Sequence, residues 1–313
     1  MQITTAEIMG GLGNQLFQIF AVLAYSLKHK SLFYFSTNPI HHGQRKKTYW
    51  DTSLLENLKP FVKAPPKNNE PRILPEQGFH FQTLPFYDEG HIRLFGYFQS
   101  FKYFQEEQEK IYRLLNIKEC QKKIREKTST SATNAYNNTI ALHFRVGDYI
   151  NLPNHHPIMS LEYYTKALRQ FLKDTHPHPD HYHDHDHNPH PILYFCEKAD
   201  QEYVETKFIT PLKENPEFKD KFTFQCIDHD LSDWEQMMTM SLCKYFIIAN
   251  STFSWWGAYF GGSIKSSIQK DTNDNNNDNE KHYVYYPSTW FGAAMGYKNM
   301  TDFFPPNWHK INV

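Results

Sequence analysis

The sequence predicts an α/β protein of two domains, each a parallel sheet wound with crossover helices, with a cleft between them. Apolar runs of strand length alternate with helical periodicity through both halves, a pattern that yields parallel strands joined by right-handed crossovers. A charged and then Ser/Thr/Asn-rich stretch over 116–138 separates the two series. The chain's 313 residues suffice for two domains of ordinary size. The boundary falls at 137/138, so the domains are 1–137 and 138–313.

Taken in order, TTAEIM reads as the first strand, ended by Gly10, Gly11 and Gly13. A helix follows over 14–29, with Leu16, Phe17, Phe20, Leu23, Ala24 and Leu27 at three- and four-residue steps. LFYFS is a second strand, 50–58 holds a short helix, IRLFGYFQS is strand then turn, and 101–115 is helical. In the second half IALHF, ILYFC, FTFQCI, YFIIA and HYVYYP are strands, with helices over 161–172, 199–212 and about 232–242. Ser232 and Glu235 have the spacing of a capping box. A short helix starts near Ser251 and ends at Gly261-Gly262, which suit a helix C-cap. Two low-complexity segments look inserted. One, at 176–190, has seven histidines in fifteen residues; the other, at 271–280, is nearly all Asn and Asp. The histidine spacing is irregular and interrupted by prolines, which favours a surface insert over a built metal site.

Bulk composition removes several function classes. A net charge of -1 leaves no global basic field, against a nucleic-acid binder or a polybasic membrane-surface protein. No apolar run approaches the ~18 residues that span a bilayer, so no stable membrane insertion is expected. The chain opens on its first strand without a signal peptide, and its four separated cysteines read as free thiols. A cytoplasmic enzyme is the expectation.

Three segments carry chemistry. The strand–glycine–helix junction at Gly10–Gly13 is an anion-binding device, because glycines admit a close ligand and the helix start offers free N–H groups. It departs from the dinucleotide fingerprint: Leu16 stands at the third glycine position, and the second strand ends without a ribose-binding acid. A nicotinamide dehydrogenase is therefore disfavoured. His143-Phe-Arg145-Val-Gly147-Asp148 follows a strand, with His143 and Arg145 on one side. Arg145 can fork onto phosphate oxygens, or simply finish the strand in an ion pair with Asp148. Asn250-Ser251-Thr252-Phe253-Ser254 joins a strand to a helix and presents hydroxyls together with backbone N–H groups, as a pyrophosphate site or an ordinary cap. Trp255 and Trp256 read as core. Asp228-His229-Asp230 has a D-x-D form that can hold a divalent metal, at a place where helix-capping aspartates are expected anyway. No metal site is assigned.

In this order the motifs resemble glycosyltransferase family 11, the α-1,2-fucosyltransferases: GGLGNQLFQIFA at 10–21, GYFQSFKYF at 96–104, LHFRVGDY at 142–149, HPIMSLEYYTKAL at 156–168, MSLCKYFIIANSTFSWWGAYF at 240–260 and YPSTWF at 286–291. The resemblance covers the chain apart from the two inserts. It implies a GT-B type fold of two Rossmann-like domains facing across a cleft, acceptor side first and donor side second. It also implies an inverting transfer of L-fucose from GDP-β-L-fucose to a glycan hydroxyl, such as the 2-OH of a galactose, with no cofactor and no required metal. In the family's H-x-R-R-x-D motif, His143, Arg145 and Asp148 fall on the matching positions, and Arg145 on the arginine that contacts the donor diphosphate. Asn250, Ser251, Thr252 and Ser254 fall on the nucleotide loop, with Gly11 and Gly13 as further donor-binding candidates. Asn14 is expected to face the reaction centre, and Gln15 and His156 are acceptor-side candidates. Asp148 and His156 are candidate general bases. Val146 stands where the second arginine belongs, so one cation near the donor is missing. That departure leaves open another GDP-deoxysugar, another linkage, or a non-catalytic nucleotide-sugar or glycan binder.

Overall fold

A computed structural model describes residues 1–37, 47–66, 70–128, 136–175, 188–271 and 282–313, without the side chains of 263–271. Most of the two inserts, 176–187 and 272–280, lies outside the described residues. The chain forms two compact units, Met1–Lys123 with Tyr297–Pro306, and Ile124–Gly296 with Asn307–Val313.

The first unit is built on strands β1 (Gln2–Ala6), β2 (Leu32–Phe33), β5 (Arg72–Pro75) and β6 (Gly90–Phe95), all parallel, in the order β2-β1-β6-β5. The single strand expected for LFYFS is split at Tyr34. Its second piece, β3 (Phe35–Ser36), leaves the sheet to pair with β4 (Val62–Lys63). Tyr34 marks the break because its N–H still donates to Thr4 of β1 at 3.1 Å while its hydroxyl meets His91 Nε2 at 2.9 Å. Helix α1 (Leu12–His29) carries Leu16, Phe17, Ile19, Phe20 and Leu23 into the core. The helix expected over 101–115 is interrupted, with a 3-10 turn at Phe101–Tyr103 and α2 at Gln108–Leu114.

Helix α3 (Ile117–Thr128) occupies the stretch read as linker, and the units divide within it at 123/124 rather than at 137/138. Ile117, Cys120 and Ile124 are buried at helical steps, and Cys120 Sγ donates to Ser53 O at 3.4 Å, which ties the helix start to the first unit. Segment 297–306 also belongs to that unit. Both carboxylate oxygens of buried Asp302 accept from Phe81 N–H, at 3.1 and 3.0 Å, Ser100 Oγ donates to its carbonyl at 2.8 Å, and Phe303 stacks on Phe17 and Phe79.

The second unit contains β7 (Ile140–His143), α4 (Leu161–Thr175), β8 (His190–Phe195), α5 (Gln201–Val204), α6 (Thr210–Glu214), β9 (Phe222–Cys226), α7 (Asp233–Met240), β10 (Tyr245–Ile247), α8 (Thr252–Asp271), β11 (Val284–Pro287) and β12 (His309–Ile311). Its six strands are all parallel, in the order β12-β11-β10-β7-β8-β9. Read from the far edge this is 3-2-1-4-5-6, the doubly wound nucleotide-binding order. The run expected as one helix over 199–212 is α5 and α6 joined by a π-type turn at Glu205–Ile209. The capping box forms, with Glu235 accepting from Ser232 N–H at 2.8 Å and from its hydroxyl at 2.6 Å.

Helix α8 does not stop at Gly261-Gly262; it runs through them to Asp271. A Cβ on Gly261 would meet Phe246 Cζ at 2.5 Å and Ser241 O at 3.0 Å, and one on Gly257 would strike the Met240 side chain. Here glycine serves close packing of α8 against α7 and β10, not capping. Trp255 and Trp256 are fully buried, as core residues. Two units with parallel sheets, one of them doubly wound, are what a GT-B glycosyltransferase requires.

Candidate active site

In an open parallel sheet, ligands bind beyond the carboxyl ends of the strands where the order reverses. In the second unit the reversal lies between β7 and β10, which pair directly, Tyr245 to Ile140 through Ile247 to Leu142. The loops leaving these two strands are the His143–Asp148 and Asn250–Ser254 segments, so the topology brings together the two motifs that sequence singled out in this half.

Arg145 leaves β7 in a side chain only 14% exposed, and its guanidinium forms ion pairs with Asp148 and with Glu197, the latter from the loop after β8. It also sits 5.2 Å over the Tyr149 ring. Burial opposes its charge, but Glu197 and Asp148 outweigh that and raise its pKa. The two pairs use two of the guanidinium's five N–H donors, so capacity for an oxyanion remains. Beside them Gly147 adopts φ +34°, a left-handed value that favours glycine, and its N–H donates to Asp200 Oδ2 at 2.8 Å. Burial, reinforced by Glu197 and Asp148 and opposed by the Gly147 N–H and Arg145, raises the Asp200 carboxyl pKa. Glu197 and Asp200 were not singled out from sequence. The available signal was their place just past β8, the strand next to β7.

His143 is buried, its pKa pushed down to about 3 by burial and by Arg145, so the imidazole is neutral. Its Nδ1 is buried with no hydrogen-bond partner among the described residues. Val146, on the opposite side of the backbone, is 1% exposed and lies in the core cluster with Phe144, Met159 and Tyr194. The missing second cation is thus replaced by core packing. Tyr149 stacks on His156 at 4.9 Å and donates to Asn250 O at 3.1 Å, linking the two loops. Burial lowers the His156 pKa, with Asp148 opposing, and His155 and Arg145 adding to it.

In the second loop Asn250 is a clamp. Its Nδ2 donates to Pro157 O at 2.9 Å and to Trp290 O at 3.1 Å, while Oδ1 is buried without a partner among the described residues. Ser254 is fully buried and donates back to Ser251 O at 3.2 Å. Ser251 Oγ accepts weakly from Phe253 N–H at 3.4 Å as a helix cap. Thr252, the first residue of α8, is half-buried, and the first turn has no acidic residue, which leaves the positive helix end uncompensated by side chains.

In the first unit β1 and β6 are the two central strands, and the glycine turn follows β1. Gly10 has φ +78°, and a Cβ there would meet Asn14 Nδ2 at 2.7 Å. Gly11 is the N-cap of α1 and Gly13 is buried in its first turn. Three glutamines hold the turn. Gln15 Nε2 donates to Gly10 O at 2.9 Å and to Lys47 O at 2.7 Å, and Gln18 brackets Met9 through its N–H and carbonyl, both at 2.9 Å. Gln99 Nε2, from the loop after β6, donates to Asn14 Oδ1 at 2.8 Å. Gln15 is therefore buried as a turn clamp, whereas Asn14 is half-buried and oriented by Gln99. Gln18 and Gln99 belong to the 10–21 and 96–104 segments, but nothing in their spacing marks them as clamps.

Among the described residues no helix is long and apolar enough to cross a membrane. The family model described as Glycosyl transferase family 11 matches residues 210–294, which include the Asn250–Ser254 loop. The chain is 26% identical over 283 residues to an α-1,2-colitosyltransferase of Escherichia coli, covering 83% of this chain and 88% of that protein. It is 29% identical over 153 residues to the O-antigen biosynthesis glycosyltransferase WbnK of Escherichia coli, covering 43% of each chain. Among solved structures, a mutant of Arabidopsis thaliana FUT1 in complex with GDP is similar at TM-score 0.41 and 11% identity, over 83% of this chain and 68% of that one. The matched family region and the relative aligned over 83% of this chain agree with the resemblance carried by the ordered motifs: the chain is similar to glycosyl transferase family 11.

Proposed function

We propose that this glycosyltransferase moves L-fucose from GDP-β-L-fucose, with inversion, to a hydroxyl of a glycan acceptor such as the 2-OH of a galactose. The observation that carries the reading is Arg145, set in the loop after β7 at the order reversal of a doubly wound sheet, next to β10, whose loop leads into the N-terminus of α8. In this reading the acceptor hydroxyl attacks the anomeric carbon while GDP departs from the opposite face, through an oxocarbenium-like transition state. Arg145 and the α8 N-terminus stabilise the departing diphosphate, which replaces Glu197, the more exposed of Arg145's two carboxylate partners. This charge balance is the reason no metal is required. Asp148 and His156 are the candidate bases, and the lowered pKa of His156 keeps it in the neutral form that a base needs.

A second reading has its own observations. Val146 is locked in the core and Arg145 is countered by acids, so the cluster of Arg145, Asp148, Glu197 and Asp200 is anionic before any donor arrives. That favours a non-catalytic binder, and the name of the colitosyltransferase relative favours a donor with a sugar other than fucose, such as another GDP-deoxysugar. Donor competition separates them. GDP-fucose is expected to give a glycosylated product whose anomeric proton coupling reports the α-linkage. Product from another GDP-deoxysugar but not from GDP-fucose selects the alternative donor, and GDP binding without product selects the binder.

A further inference from the structure

Away from the Arg145 loop face, a group of soft ligands gathers at the carboxyl ends of β8 and β9. Tyr194 of β8 pairs with Cys226 of β9, so Cys196, two residues beyond Tyr194, falls on the same sheet side as Cys226, one diagonal step away. His229 follows in the turn after β9. There Asp228 and Asp230, the D-x-D of the sequence, are bonded to each other, Asp230 N–H to Asp228 Oδ1 at 2.9 Å, in a turn that brings the histidine back over the strand end. Cys226 Sγ is 3.5 Å from His229 Nε2, and one ligand atom from each of Cys196, Cys226 and His229 lies within 4.8 Å of the others.

We propose that Cys196, Cys226 and His229 bind a zinc ion. Tetrahedral zinc with bonds of about 2.3 Å to sulfur and 2.05 Å to nitrogen places a sulfur and a nitrogen ligand about 3.6 Å apart, and two sulfurs about 3.8 Å apart. The Cys226–His229 separation already has the first value, and closing the widest pair needs a shift of about 1 Å. Two thiolates and an imidazole select zinc over the hard, oxygen-seeking cations that a D-x-D pair would take. Water completes the tetrahedron. A disulfide fits less well. Strand spacing of about 4.8 Å and two residues of rise put the Cys196 and Cys226 Cα atoms about 8 Å apart, beyond the usual disulfide reach of about 6.8 Å. The ion ties β8 to the turn after β9. Because Glu197 follows Cys196 directly, the ion also anchors the segment that carries Arg145's carboxylate partner.

The test must exclude the histidine-rich 176–190 segment, which can also take zinc. Cobalt(II) titrated into the full chain under reducing conditions is expected to give thiolate-to-cobalt charge-transfer absorption that saturates at one equivalent and is displaced by zinc. Histidines alone cannot produce that band. Cys226→Ser and His229→Ala are each expected to weaken zinc binding at least ~100-fold in chelator competition, whereas Cys120→Ser leaves it unchanged. Absence of the thiolate band in the folded wild-type chain overturns the proposal without reliance on any variant. Zinc binding that survives both variants assigns the ion to the histidine segment and overturns it too. So does a Cys196–Cys226 disulfide in a protein that takes up no cobalt.

Discussion

Replacing Arg145 by alanine removes the guanidinium that two carboxylates hold at the end of β7 and leaves Asp148 and Glu197 unneutralised beside the site proposed for the donor diphosphate. Loss of one preorganised donor to a developing anion costs about 2.7–4 kcal/mol, or 10²–10³-fold in kcat. The unmasked carboxylates act on GDP in the ground state as well, so GDP affinity is expected to fall in parallel. Folding is affected far less. Asp148 and Glu197 are 41% and 49% exposed, and such pairs contribute about 1 kcal/mol or less each. The assay is GDP release at saturating donor and acceptor, with GDP affinity from calorimetry and the melting temperature from scanning calorimetry. The reasoning is refuted by near-normal kcat in a folded Arg145→Ala variant. It is refuted equally by a variant whose activity loss is fully explained by unfolding.

Val146→Arg, which restores the family's second arginine, is expected to destabilise the second unit by several kcal/mol because the side chain enters the core; a stable and faster enzyme in urea melts and kinetics would count against that packing. Gly261→Ala is expected to cost about 1–3 kcal/mol from the 2.5 Å approach to Phe246, read as a lower urea midpoint, and an unchanged midpoint would show that α8 can shift. Asp302→Ala is expected to lose about 1.5–3 kcal/mol through the bifurcated charge-assisted bond from Phe81 N–H; stability within about 0.5 kcal/mol, the scatter of surface changes, would contradict it. His143 has a folded pKa of about 3 against about 6.5 unfolded, so the unfolded chain alone takes the proton between those values. Stability is therefore present above about pH 6.5 and lost as pH falls toward 3, by up to about 1.4 kcal/mol per unit. His143→Gln is expected to flatten that slope in urea melts across pH, and an identical slope would show that the histidine is charged in the folded state.

Strand existence is legible wherever apolar runs are long: β6, β7, β8, β9, β10 and β11 coincide with such runs, whereas β1 covers Gln2–Ala6 and so starts and ends earlier than the TTAEIM segment expected for it. The short strands β5 and β12 are not, because RILP leaves Ile73 exposed and HKI buries only Ile311, so neither shows a clear apolar period. Helix α3 was hidden by its lysines and glutamates, although Ile117, Cys120 and Ile124 carried the right steps. Gly261-Gly262 misled because glycine suits both a cap and a close approach, and only the position of Phe246 decides between them. At the candidate site, the loops after β7 and β10 were legible as motifs, but their adjacency rests on strand order. The acids that hold Arg145 illustrate the limit. Asp148 is three residues away and was named, whereas Glu197 arrives from the neighbouring strand, where only the β7–β8 register could locate it.

The most direct measurement is GDP release from GDP-fucose by the purified chain across galactose-terminated and other acceptors, without added magnesium or manganese and again with EDTA. The expected result is release that depends on one class of acceptor and persists in EDTA. Release with no acceptor in the panel, or tight GDP binding with no release at all, would contradict a metal-independent fucosyl transfer.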